Sequence, residues 1–166
     1  MKRIAFSTVL SFLLLLTVMC SSLQNTGSQQ ESDGDAVAEL LKTRRYQFTP
    51  TTAQTQLGRS IPVTGYRFQV RQDTLICYLP YYGVAHTPQI ARGQGPLDFT
   101  SAELRYSSEA GKKGNTEIRI EPQSKFIDAQ QFDLSVSSTG YATLRVRFND
   151  RQPISFYGQV GKISRR

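Results

Sequence analysis

Histidine occurs once in this 166-residue chain, at His86, and cysteine twice, at Cys20 and Cys77. Those scarcities exclude whole classes of chemistry. A zinc site needs three or four nitrogen, sulfur or carboxylate ligands, and one imidazole with one or two thiols does not make a zinc-finger set. A Ser-His-Asp relay would have to pass through His86, and the chain has no G-x-S-x-G elbow. Two cysteines make no disulfide framework. The lone Gly93-x-Gly95 pair is too sparse for a phosphate-binding loop. The expectation is therefore no cofactor, no metal and no assigned catalytic residue.

Long apolar runs are also scarce. The one that exists, Ile4 to Val18, follows the cationic start Met1-Lys2-Arg3 and precedes the small residues Cys20, Ser21 and Ser22. It falls short of the roughly 20 residues of a membrane span and has the layout of a secretory signal peptide over residues 1–20. Cys20 stands where a lipoprotein cysteine would, although Met19 and Thr17 depart from the usual residues before it. Lipidation at Cys20 and ordinary cleavage near Cys20–Ser22 both stay open. Residues 21–35 are polar and poor in bulky apolar side chains, as in a flexible tether. The expected location is exported, either periplasmic or membrane-anchored through Cys20, with no other membrane contact. Cys77 lies in an apolar run and reads as a small buried hydrophobe.

What the chain does have is cationic charge and two-residue alternation. It carries 20 Lys and Arg against 13 Asp and Glu, a net charge of +7. Residues 41–166 hold 18 basic and 9 acidic side chains, or +9. Such a balance can favour nucleic acid, anionic lipid or anionic polysaccharide; export argues against nucleic acid, and a soluble surface that is simply cationic is the favoured reading. One helix is expected from about Asp35 to Arg44, with Ala36, Val37, Leu40 and Leu41 at helical spacing and bases at its end. From Tyr46 onward the period is two. Strands are expected at Tyr46–Phe48, stopping at Pro50; at Tyr66–Arg71 and Thr74–Leu79, joined by a Gln72-Asp73 turn; and at Phe99–Tyr106. Further strands are expected at Thr116–Glu121, Phe132–Val136, Tyr141–Phe148 and Ile154–Val160. Thr51–Ser60 reads as a loop. One-sided alternation with tight turns predicts a mainly β fold over residues 36–166, an antiparallel sandwich or a partly open barrel preceded by one helix. Outward charges such as Glu117, Arg119, Glu121, Arg145 and Arg147 are expected to form weak cross-strand ion pairs.

The segment from Pro80 to Pro96 is long for a connection in a compact β domain. It gathers Tyr81, Tyr82, His86 and Arg92, which are the candidate binding residues: tyrosines stack on sugars or peptide groups, and an arginine meets an anion. Asp98 and Glu103 flank this region as candidate paired carboxylates for glycoside hydrolysis.

Three separated motifs carry a family resemblance: Leu79-Pro80-Tyr81-Tyr82-Gly83, Gly95-Pro96-Leu97-Asp98-Phe99 and Ile154-Ser155-Phe156-Tyr157-Gly158. With them, residues 38–162 resemble an exported bacterial family, found chiefly in Bacteroidetes, known as domain of unknown function 4251. The resemblance implies one exported β-rich domain. It implies no activity, and no site residue is carried over from it. The favoured reading is a non-enzymatic envelope protein that binds a ligand or partner through the 80–96 loop face. The rivals are a hydrolase of envelope or dietary polysaccharide acting through Asp98, Glu103 or His86, and a purely structural envelope module.

Overall fold

The computed structural model describes residues 28–84 and 95–164. One helix, α1 (Ser28–Lys42), precedes ten strands: β1 (Arg45–Thr55), β2 (Ser60–Pro62), β3 (Arg67–Arg71), β4 (Thr74–Tyr78), β5 (Asp98–Ser101), β6 (Leu104–Ala110), β7 (Thr116–Pro122), β8 (Ala129–Val136), β9 (Tyr141–Phe148) and β10 (Ile154–Gly161). The helix starts at Ser28, ahead of the expected Asp35. Residues 1–27, with the expected signal segment and Cys20, lie outside the described residues.

All pairings are antiparallel, and the strand order is β5-β4-β3-β1-β10-β9-β8-β7-β6, with β2 attached to β1 alone. The two outermost strands, β5 and β6, are neighbours in sequence, separated only by Ala102 and Glu103. Such a link spans at most ~11 Å, at about 3.6 Å per residue. The sheet must therefore curl until its two edges meet at that corner, which gives a nearly closed barrel and settles the alternative between sandwich and barrel.

The corner corrects the expected single strand over Phe99–Tyr106. Phe99 packs inward against Phe132 and Ser101 is buried, whereas Leu104 and Tyr106 pack on the core further on. The inward phase thus moves from odd to even positions within three residues, which a continuous strand cannot do. The Ser101 hydroxyl donates to the Glu103 carbonyl at 2.8 Å across the bend.

β1 corrects a second expectation, because it continues through Pro50 to Thr55 instead of stopping there. Its register against β10 shifts between Pro50 and Thr52, so that Thr51 is the extra residue of a β-bulge. Bulges are among the few places where a sheet tolerates proline. The inward set moves with the bulge, from Tyr46, Phe48 and Pro50 to Ala53. Gly158 sits opposite Pro50. A Cβ on Gly158 would strike the Thr49 carbonyl oxygen and lie 2.8 Å from Pro50 Cα, so only glycine permits this backbone approach.

Alternating side chains fill the barrel, as in other small barrels. Tyr46, Phe48, Phe68, Phe132 and Phe156 are fully buried, and the Phe68 and Phe132 rings meet across the interior at 5.1 Å. Val37, Leu40 and Leu41 of α1 pack on the same core. The helix ends at Arg44, whose φ of 52° is the left-handed conformation that more often takes glycine, and its N–H bonds the Leu41 carbonyl. The Arg44 guanidinium lies 4.5 Å from the centre of the Tyr106 ring. Beside it the hydroxyls of Tyr46 and Tyr106 are buried as neighbours, with no other hydrogen-bond partner among the described residues. Burial raises the Tyr46 phenol well above its ordinary pKa, and the neighbouring Tyr106 phenol adds to the rise. Cys77 is buried and free. Burial also pushes its thiol well up, with the Asp98 charge adding to the effect. This is the inert setting expected of a core cysteine.

Candidate functional site

The loop that follows β4 begins with two tyrosines, and the fold sends them to different tasks. Tyr81 folds back onto the barrel. Its hydroxyl lies 2.9 Å from the Gln152 carbonyl oxygen and 3.2 Å from that of Val84. Its ring meets Phe148 edge-on at 5.0 Å, and Arg151 lies across it at 5.5 Å. Arg151 is itself held by Asp128 at 2.8 Å. Gly83 is part of the same clamp, because a Cβ there would collide with the Tyr81 ring and hydroxyl. Leu79 and Leu97 are core residues joined by a Leu79 N–H to Leu97 carbonyl bond of 3.0 Å. The first motif therefore pins the loop entry, and the second, through Leu97 and Phe99, places its exit. Together with Gly158, the motifs have structural work in this fold.

Tyr82 remains exposed and belongs to a cluster with Tyr66 and Tyr78. The Tyr66 and Tyr78 rings stand 5.3 Å apart. Partial burial, and then the nearby Tyr82 and Tyr78 phenols, raise the Tyr66 phenol above its ordinary pKa. Arg67 lies 5.6 Å from the centre of the Tyr78 ring, within cation–π reach. His86 and Arg92 lie outside the described residues. Asp98 and Glu103 stand at opposite ends of β5, one opening the strand and the other in the link to β6. Among the described residues, no group of three or more His, Cys, Asp or Glu is placed to hold a metal ion. No helix among them is long and apolar enough to cross a membrane.

A groove of about 490 Å³ lies on the outer face of β1, β3 and β4, with Tyr66 of the tyrosine cluster in its wall. Its wall and floor include Tyr66, Arg67, Gln69, Arg71, Gln47 and Ile76, with Ser164 of the C-terminal tail alongside. The size lies within the range of ligand sites, roughly 300–1,000 Å³. A chain of side-chain hydrogen bonds crosses the floor. Arg71 donates to Gln69 at 3.1 Å, Gln69 donates to Gln47 at 2.7 Å, and Gln47 donates to Thr49 at 3.0 Å. These neighbours cover Gln69 so well that it is only 5% exposed, although it points away from the core.

Charge separates this face from the rest of the barrel. On the β6–β9 side, Arg105 pairs with Glu121 at 3.0 Å, while Asp133 takes both Arg119 at 3.2 Å and Arg147 at 3.0 Å. A hollow of about 400 Å³ there is lined by three acids, Glu109, Glu117 and Asp133, and three arginines, Arg119, Arg145 and Arg147. The β1–β3–β4 groove holds Arg67 and Arg71 and no carboxylate. Among the described residues, Arg45, Arg67 and Arg71 have no carboxylate oxygen within 4.0 Å. Arg45 even stands directly opposite Arg71 across the β1–β3 ladder. Like charges at such a position are destabilising, which is what a surface shaped to meet an anion would carry.

Sequence reasoning named Tyr82 and missed Arg67, Arg71, Gln47, Gln69, Tyr66 and Tyr78. A signal was present. The polar positions of Arg67-Phe68-Gln69-Val70-Arg71 carry cations and an amide only, whereas those of Thr116–Glu121 mix both signs.

The fold and groove together define a small antiparallel barrel protein with a one-sided cationic face. The sequence model of the family described as "Domain of unknown function (DUF4251)" matches residues 28–160, and the chain belongs to that family. A crystal structure of a DUF4251 family protein from Bacteroides eggerthii DSM 20697 is similar, with a TM-score of 0.61 and 18% identity over 81% of this chain and 91% of that one. At that identity the likeness concerns the fold. Comparison with curated proteins finds no match.

Proposed function

We propose that the protein is an exported, non-enzymatic binding module of the cell envelope that takes an anionic ligand in the groove on the outer face of β1, β3 and β4. The carrying observation is a difference in carboxylate pairing: Arg105, Arg119 and Arg147 of the β6–β9 side each have a carboxylate oxygen within 4.0 Å, although Arg145 there has none, while among the described residues neither Arg67 nor Arg71 of the groove has one. Tyr66 lines the groove, and its proximity to Tyr78 and to the exposed Tyr82 supports including the start of the 80–96 loop in the binding face. The interior is filled with side chains, so the outer face is where a ligand finds room. Export is supported by the apolar segment behind Lys2 and Arg3, and Cys20 is the candidate point of lipid attachment. A diacyl anchor there would hold the protein stably at a membrane, which a single acyl chain does not.

Two measurements test the reading. Intact-mass analysis of the protein from its native host should show an N-terminus at or just after Cys20, with a diacylglyceryl mass if Cys20 is lipidated; retention of Met1–Met19 would refute export. Binding of the full chain to an anionic-ligand panel should be lost in Arg67→Gln/Arg71→Gln and kept in Arg119→Gln/Arg147→Gln. Equal loss in both would mean that net charge, and not the groove, governs binding.

A further inference from the structure

We propose that the ligand of this groove is an extended acidic polysaccharide, an inference that rests on the binding reading above and names its ligand class. The first argument is spacing. Arg67 and Arg71 point to the same face of β3 and are four residues apart, so their Cα atoms are separated by roughly 13 Å at the usual strand rise. Arg45 doubles the Arg71 end. Between the two cationic ends lie amides and hydroxyls, Gln69, Gln47 and Thr49.

That distribution selects among anionic polymers. Nucleic acid carries a phosphate charge at every nucleotide, with no uncharged unit between, and a groove built for it would bring cations at every step. An anionic membrane surface is met by clusters of 4–8 Lys and Arg, and by a flat or convex face. Here the face is concave, its cations are few and widely spaced, and uncharged hydrogen-bonding groups fill the interval. A polymer with acid groups separated by uncharged, hydroxyl-rich rings has the matching pattern.

The second argument is the chemistry available to a sugar ring. Each glutamine side chain has two N–H donors. Gln47 uses one donor on Thr49 and keeps the other for a ring hydroxyl, while the covered Gln69 donates to Gln47 and holds it in place. The same hydrogen bonds hold both amides in place before the ligand arrives, which reduces the ordering cost of binding. At the Arg67 end, Tyr66 lines the groove and gives it an aromatic side chain for the apolar side of a pyranose, and Tyr78, in contact with both Tyr66 and Arg67, steadies them. Arg67, already laid across Tyr78, is oriented to meet an acid group on that ring or the next.

The test is calorimetric titration of the full-length protein with hyaluronan oligosaccharide, which carries a carboxylate on alternate rings, and with dextran sulfate, neutral dextran, single-stranded DNA and phosphatidylglycerol vesicles. The expected result is binding of an acidic polysaccharide, carboxylated or sulfated, with neutral dextran at least tenfold weaker. Arg67→Gln and Arg71→Gln should each weaken binding about tenfold, and Tyr78→Ala by several fold, with melting temperature kept. If DNA or vesicles bind through Arg67 and Arg71 while both acidic polysaccharides do not, the ligand class is wrong and the binding reading stands. If none of the anions binds, both fall. If an acidic polysaccharide binds equally well to Arg67→Gln/Arg71→Gln, the groove is not the site.

Discussion

Replacing Gly158 by alanine is the sharpest test of how the barrel is held together. The added Cβ would meet backbone alone: the Thr49 carbonyl group and Pro50 Cα, the latter at 2.8 Å. No rotamer relieves a backbone contact. Ordinary contact begins at 3.4 Å, so β1 and β10 would have to part by at least the difference of 0.6 Å. They are central neighbours in the sheet, with Pro50 and Gly158 in register. Overpacking of this kind costs about 1–3 kcal/mol, and each ladder hydrogen bond stretched beside it adds about 1 kcal/mol. Against this, alanine narrows the unfolded ensemble and returns about 0.4–1 kcal/mol. The net loss is about 2–3 kcal/mol, a fall in melting temperature of roughly 6–12 °C for a domain of this size. Gly161, three residues on, is the control: a Cβ there meets nothing within 4 Å. Thermal unfolding followed by circular dichroism should separate the two. A Gly158→Ala protein melting within 2 °C of Gly161→Ala would refute the close approach of β1 to β10 at the bulge.

Tyr81→Phe removes the hydroxyl that meets the Gln152 carbonyl and should cost about 0.5–1.5 kcal/mol in urea titration, while leaving anion binding unchanged; loss of binding would place Tyr81 in the site. Tyr46→Phe removes a buried hydroxyl that neighbours the Tyr106 phenol and has no other partner among the described residues, so it should change stability by no more than about 1 kcal/mol; a larger loss would mean that the hydroxyl is fully satisfied. The same variant bears on pH. Burial favours the neutral Tyr46 phenol in the fold, so its folded pKa lies above the unfolded value. Its contribution is complete below the unfolded pKa of about 10 and is lost as pH rises above it. Alkaline unfolding should therefore be less steep in Tyr46→Phe than in the parent protein. Cys77 should resist a thiol reagent in the native state and react once urea unfolds the chain; fast native labelling would contradict its place in the core.

Much of the barrel is legible in residue alternation. Tyr66–Arg71 and Thr74–Leu79, with Gln72 in a positive-φ turn, form the β3–β4 hairpin as expected, and the strands after Thr116 follow their inward apolar sets. What alternation hides is a change of phase. Pro50 reads as a stop because proline lacks a donor, yet the bulge at Thr51 carries the strand past it. Phe99 to Tyr106 reads as one strand because Ala102, Leu104 and Tyr106 alternate, yet the bend after Ser101 sends the two halves to opposite edges of the sheet. The candidate site was hidden for a related reason. Outward residues belong to no periodic apolar set, and what distinguishes Arg67 and Arg71 is the lack of acids on the strands beside them. That is a property of which strands pair: β3 and β4 form a local hairpin, but the sheet order is what sets β1 beside β3.

Side-chain NMR during titration with hyaluronan oligosaccharide addresses the groove most directly. The account predicts saturable shifts of the Gln47 and Gln69 carboxamide and Arg67 and Arg71 Nε–H resonances, with those of Arg119 and Arg147 unmoved. Shifts confined to the Arg119–Asp133–Arg147 face, or none at all, would contradict it.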